Sequence, residues 1–427
     1  MADTIGLRKA SDREINKIQL VSSNGNELDI RDSIVELSLF QDIYSPVMSG
    51  QIVITDGHDL VSTFGLCGND YIRISIDKPT LNKPFERLFR IYKISNRQPN
   101  TANDVGLNYL IHFCSEEMLL SLSTLVSKSY SKMPYSNMIV DICQNFLNIP
   151  EFNKNLIETT GGNYSIIIPN LRPFEAINFL ASRSFNGNNK HGYFFFETRD
   201  GYQFSSLQSM FASSTYATYA LENKRLDPDP SNDWLAFNEF RVVNDFDVIS
   251  MMSNGGYAAK LLTIDPMRQK HTLNTYSQAD RQAKKLLMNK YLPFNDYTDR
   301  NGNKLSDNYD SFFRVATTFT ENIDQFLMNR TLSMALMNNF KINYNIPGDI
   351  MLKPGLMVQI KFPVFEYSGT GNKKFDERRD GANFLITSVR HQFIMDTFST
   401  IVEVVQDSFI KSLPNSGAPA TLRNLRK

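Results

Sequence analysis

Short apolar runs alternating with polar residues fill the first quarter of the chain. Residues 15–21, 34–40, 51–55 and 71–76 place apolar side chains at about every second position. That is the period of a strand with one buried face. Residues 85–94 and 107–113 extend the series, and Asn24-Gly25 and Asp56-Gly57 supply turns between runs. Residues 58–64 fit one short helix. Strands this regular predict a small antiparallel barrel or sandwich ending near Phe113.

The pattern then changes. Ser136 is placed to cap a helix whose apolar positions are Met138, Ile139, Ile142, Cys143, Phe146 and Leu147, stopped by Pro150. Residues 164–169 read as a strand. Pro173 suits the first turn of a second helix that buries Phe174, Ile177, Leu180 and Ala181. After a polar loop, Tyr193-Phe-Phe-Phe-Glu197 reads as a strand, and Asp200-Gly201 turns the chain into Tyr202-Gln-Phe204. Four aromatics in a row on a strand, Tyr193, Phe194, Phe195 and Phe196, face both sides. They predict a strand covered by a helix on one face and by something else, such as another subunit, on the other.

Asp227-Pro-Asp-Pro230 breaks helix and strand alike and reads as a linker. Strand-like stretches follow at residues 237–243 and 248–252, with a hairpin at 255–260 leading into a strand at 260–264. Residues 267–325 are polar and weakly periodic, and look like an insertion. Residues 325–340 fit a helix with Phe326, Leu327, Leu332, Leu336 and Phe340 on its apolar side. Strands resume at 340–344, 356–362, 384–389 and 399–405, and residues 369–381 form a charged loop.

The expected fold class is mixed and β-rich, α+β: two tube-like antiparallel β-barrel domains flank an α+β domain, and the second barrel carries an insertion. The boundaries read as an arm at 1–13, a first barrel at 14–115, the middle domain at 116–228 and a second barrel at 229–266 and 326–410. The inserted subdomain spans 267–325 and a tail spans 411–427.

Composition narrows the functional classes. The 427 residues allow several cores. Lys plus Arg and Asp plus Glu are equal at 45 each, so no global basic excess points to a nucleic-acid surface. No run of 18 apolar residues offers a membrane anchor, and the polar start lacks an apolar signal core, which predicts a cytoplasmic origin. Cys67, Cys114 and Cys143 lack metal or redox spacing and are expected as buried free thiols. Five scattered histidines make no zinc motif, and there is no nucleophile elbow or phosphate loop. Glu116-Glu117 suit a helix start, and Asp376, Glu377 and Asp380 sit among cations, so no acid pair is selected for glycoside hydrolysis. No catalytic residue, cofactor or metal is therefore expected.

Against this background four stretches resemble one family. Arg172-Pro-Phe-Glu-Ala-Ile-Asn-Phe-Leu-Ala181, then Gly192-Tyr-Phe-Phe-Phe196, Asp200-Gly201 and Tyr202-Gln-Phe204, resemble the hub module shared by myophage baseplate hubs and the N-terminal part of VgrG spike proteins. Gly348-Asp349, Leu352-Lys-Pro-Gly355, residues 357–362, 384–393 and 400–405 resemble the second barrel of that hub. Asp265-Pro-Met267 resembles the T-even-type hub, and Tyr44-Ser-Pro-Val-Met-Ser-Gly50 with Ile52-Val-Ile-Thr-Asp56 resembles the first barrel of many hubs. The resemblance runs from about residue 14 to 410 in the right order.

It implies a non-enzymatic structural baseplate hub of a contractile phage tail, assembled in the host cytoplasm and carried in the virion. Three copies would form a ring of six similar β units, fitting a sixfold tail tube protein to a threefold central spike protein. Baseplate wedge and tape measure proteins would be further partners, and genomic DNA would pass through the channel without specific binding. With no needle repeats in this chain, the spike would be a separate protein. Tyr193, Phe194, Phe195 and Phe196 are the candidate packing or interface residues. The alternatives are a hub that also hydrolyses peptidoglycan, and a receptor- or glycan-binding tail module.

Overall fold

The computed structural model describes residues 14–77, 85–99, 106–149, 154–187, 190–221, 235–237, 239–293, 312–317, 323–361, 378–379, 381–395 and 397–412. The expected arm at 1–13, the Asp227–Pro230 linker, Pro150, most of the 369–381 loop and nearly all of the 411–427 tail lie outside them.

The first unit is built from β1 (Glu14–Val21), β2 (Glu27–Asp29), β3 (Ile34–Asp42), β4 (Ser49–Asp56), β5 (Tyr71–Asp77), β6 (Phe85–Pro99) and β7 (Leu107–Cys114). They pair antiparallel in the order β3-β4-β7-β6-β5-β1-β2. The strict alternation of β4, with Ile52 and Ile54 buried and their neighbours half-buried, is what one buried face requires. Leu20, Leu37, Leu39, Ile72, Ile74, Phe89, Ile111 and Phe113 fill the same core. Gly50 lets β4 pass close to the Phe113 ring, which any Cβ there would strike. The expected helix at 58–64 is a single π-type turn at Val61–Gly65.

The middle unit contains α1 (Glu117–Ser123), β8 (Val126–Met133), α2 (Tyr135–Phe146), β9 (Tyr164–Leu171), α3 (Pro173–Arg183), β10 (Tyr193–Thr198), β11 (Gly201–Ser206) and α4 (Leu207–Phe211). β8 pairs with β9, and β10 with β11, each as a two-stranded antiparallel sheet. Ser136 is not the cap of α2. The helix starts one residue earlier after Pro134, and buried Ser136 exchanges bonds with Thr160 instead, its N–H donating to Thr160 Oγ1 at 3.0 Å. Glu175 closes the start of α3 by accepting from the Arg172 N–H at 3.2 Å.

The last unit holds β12 (Thr215–Leu221), β13 (Ala236–Phe237), β14 (Glu239–Asn244), α5 (Val248–Ser253), β15 (Ala258–Asp265), β16 (Lys270–Ser277), α6 (Gln278–Ala283), β17 (Phe313–Thr317), α7 (Ile323–Met337), β18 (Lys341–Pro347), β19 (Met357–Lys361), β20 (Ala382–Ile394) and β21 (Thr397–Val405). Residues 248–252, expected as a strand, are helical. The polar stretch after 267 contributes β16 and β17, which flank β15 in a three-stranded sheet, β17 running parallel to it. β12 also pairs parallel, with β13 and β19, so the second β-rich unit is not purely antiparallel.

One strand joins the two β-rich units. Along one edge, β20 pairs with β19 through Ala382–Leu385 and with β3 through Ser388–Ile394, while β21 takes the other edge. Fourteen strands thus form one sheet, and among the described residues neither unit closes into a hydrogen-bonded ring. All three cysteines are free, Cys114 and Cys143 buried as expected but Cys67 exposed.

Candidate functional site

The aromatic strand β10 lies where the three units meet. Tyr193 and Phe195 point into the middle core, where Tyr193 stacks on Phe204 at 5.0 Å and Phe195 on Tyr202 at 5.4 Å, with Phe174 of α3 nearby. Phe194 and Phe196 point the other way, against Leu207, Met210, Met337, Met357 and Leu385. The four side chains are 0, 6, 8 and 0% exposed. This chain therefore supplies the cover for both faces: α3 on one, and α7, β19 and β20 on the other. Among the described residues no strand pairs with the other backbone edge of β10.

The next residue, Glu197, ties the middle unit to the first. Its Oε2 accepts from the Met48 N–H at 2.8 Å and from Ser115 Oγ at 2.5 Å, at the start of β4 and the end of β7. Burial pushes its carboxyl up to about 7, against the two bonds and the nearby Arg87, which act to lower it. Arg87 itself donates to the Arg199 carbonyl at 3.3 Å.

At the far end of the hairpin, Glu158 gathers β11 and α4. It accepts from Lys190 Nζ at 2.8 Å, the Ser206 N–H at 2.7 Å and Ser209 Oγ at 2.8 Å. Burial raises this carboxyl, but Lys190 and the other donors outweigh it and hold the group below its usual range.

A buried serine and histidine invite a catalytic reading. His191 Nε2 lies 2.9 Å from Ser333 Oγ. However, Ser333 donates to the Asn329 carbonyl at 2.8 Å and accepts from Arg281 Nη1 at 2.5 Å. Arg281 also lies 3.3 Å from the imidazole, where a guanidinium opposes the positive charge a general base must take on. All three side chains are 1–2% exposed. They work as a tie between the β10 hairpin, α6 and α7. Burial pulls Arg281 down to about 10, partly offset by Asp407. Among the described residues no group of three or more His, Cys, Asp or Glu side chains is placed to hold a metal, and no helix is long and apolar enough to cross a membrane.

Arg330 of α7 completes the site. Its Nη1 donates to the Tyr193 carbonyl at 3.1 Å, and its guanidinium sits 5.4 Å from the Phe194 ring. Burial lowers its pKa. The aromatic run was visible in the sequence. Glu197 carried a signal too, as an acid directly following four aromatics on one strand, whereas Arg330 and Arg281 carried none.

No family model matches the sequence, and no curated protein sequence matches it. Solved structures match it in fold, two tail proteins among them. The tail protein from Neisseria meningitidis MC58 superposes with a TM-score of 0.55 at 12% identity, over 93% of this chain and 97% of that one. The 43 kDa tail protein of prophage MuSo2 from Shewanella oneidensis does so with a TM-score of 0.51 at 8% identity, over 92% and 97%. Almost the whole of this chain, with β10 at its centre, thus follows the fold of these two tail proteins.

Proposed function

We propose that the protein is a structural component of a contractile phage tail, the baseplate hub that joins the tail tube to the central spike. The observation that carries this reading is the end-to-end match in fold with two tail proteins, each covered over 97% of its length. In this reading three copies surround a channel. Each contributes its two β-rich units, so six units face a sixfold tube protein and the trimer as a whole faces a threefold spike. Two apolar cores held by one shared strand are consistent with that geometry. The domain limits read from the sequence, a first barrel at 14–115, a middle unit at 116–228 and a second barrel at 229–266 and 326–410 around a 267–325 insertion, belong to the same proposal. So do contacts with wedge and tape measure proteins, and a mechanical rather than catalytic role.

Light scattering on the purified chain, alone and with the candidate spike, tests the ring. The expected mass is about three times 48.9 kDa in at least one sample. A monomer in both would remove the ring and favour a receptor- or glycan-binding tail module.

A further inference from the structure

The open edge of β10 faces a cavity of about 410 Å³. Tyr193, Phe194 and Phe195, consecutive in the strand, all line it. Successive side chains of a strand point to opposite faces, so a cavity touched by three in a row runs along the strand's edge. β11 holds the other edge, with Phe194 opposite Ser205 and Phe196 opposite Gln203. The Tyr193 carbonyl points away from β11, where it meets Arg330, and by the period of two the Phe195 N–H and carbonyl point the same way. Among the described residues no strand pairs there. Tyr44 and Pro46 after β3, and Phe174 and Ile177 of α3, form the walls. A second cavity of about 540 Å³ shares Arg330 and Met334 and continues the groove along α7 past Leu327 and Asn338, with Arg183 on its wall.

The groove's cations outnumber its acids, Arg330 and Arg183 against Glu175. Arg330 is common to both cavities, and its polar bond is to a neutral carbonyl; no carboxylate pairs with it among the described residues. The groove's acid, Glu175, is engaged at the start of α3. We propose that the groove is a peptide-docking site, in which an extended acidic segment of a partner protein adds to the open edge of β10 as a third strand and sets a carboxylate on Arg330. Strand addition supplies main-chain bonds to Phe195, and apolar side chains of the segment fill the walls. A charge-assisted bond to a partly buried guanidinium is the strong kind, while a basic segment would meet Arg330 and Arg183 as like charges. This inference stands apart from the ring and holds for a monomer as well as a trimer.

The probes are two fluorescein-labelled heptapeptides, one alternating Val with Glu and the other Val with Lys, titrated with the full chain by fluorescence anisotropy. The Glu peptide is expected to saturate at least about tenfold tighter than the Lys peptide. Arg330→Gln should erase that preference and Arg330→Lys should retain it. Hydrogen exchange at the Phe195 amide should slow when the Glu peptide is bound. The comparison of peptides and the exchange at Phe195 use the unaltered chain, so a poorly folded variant does not blunt the test. Equal binding of the two peptides, no saturable binding of the Glu peptide, or unchanged exchange at Phe195 overturns the proposal. A self-associated dimer that Arg330→Gln dissolves would give the groove to a second copy, and would overturn it equally.

Discussion

Glu197 shows how one buried side chain couples two units and makes their joint sensitive to pH. The folded chain holds the Glu197 proton up to about pH 7, whereas an unfolded glutamate releases it near 4.5. Between those values the folded state binds more protons, so this group's contribution to stability is fully present below about 4.5 and is lost as pH rises through 7. Glutamine removes the titration, and its carbonyl can accept the same two bonds from Met48 and Ser115. Glu197→Gln should therefore match the parent at pH 4 and exceed it at pH 8, by on the order of 3 kcal/mol, in urea unfolding. Asp407, raised by burial to about 6, acts in the same direction, and neutral His391, lowered by burial to about 4, acts in the opposite one. Both are common to the two proteins and cancel in the difference. An equal gap at both pH values would mean that Glu197 is already ionised in the folded chain. The acid behind the aromatic run was legible locally, but its partners were not, because the donors lie 149 and 82 residues away in sequence.

At the scale of elements, the sequence pattern placed most strands and both large helices of the middle unit, because each has one buried face and a clear period. It failed where local capping or distant pairing decides. Val248-Ile-Ser-Met-Met252 looks like a strand by composition, yet it forms α5 because Asp247 caps it, Oδ1 accepting from the Ser250 N–H at 2.8 Å. Ile249 is left 83% exposed, so of its apolar set Met251 is the residue that anchors this helix in a core. Asp247→Ala should accordingly cost about 1 kcal/mol locally and speed hydrogen exchange at Ser250 and Met251 about fivefold. Unchanged exchange there would show that the packing of Met251 and Val248 against Leu336 holds the turn without its cap. The strands β16 and β17 were missed for a different reason. Their side chains are mostly exposed, so neither shows the alternation that marks a half-buried strand, and they are held by backbone pairing to β15.

At the scale of the whole molecule, the question is whether the two β-rich units behave as one body or two. Composition and periodicity suggested separate barrels, and nothing in either segment announced that a C-terminal strand would pair with an N-terminal one. The seam is nevertheless specific. Seven register pairs join β20 to β3, and Arg390 reaches across to Glu36 at 2.7 Å and Ser38 at 3.1 Å, with Gln392 donating to the same Glu36 oxygen at 3.0 Å. Phe393 and Phe398 of the β20–β21 hairpin sit in the first unit's core, stacked at 4.2 Å. Unfolding either unit alone would expose that core and strip one edge of β20, leaving its backbone groups without partners. The two units should therefore open together. Hydrogen exchange should give Ile52 of β4 and Val402 of β21 the same opening free energy within about 0.5 kcal/mol, and the same denaturant dependence. Repeating the measurement at two protein concentrations separates this coupling from any stability gained by association. If Ile52 and Val402 instead opened at clearly different free energies, the seam would be a contact between independent domains. Each unit could then tilt against the other, and a rigid ring of six matched units would need its stiffness from neighbouring copies rather than from β20.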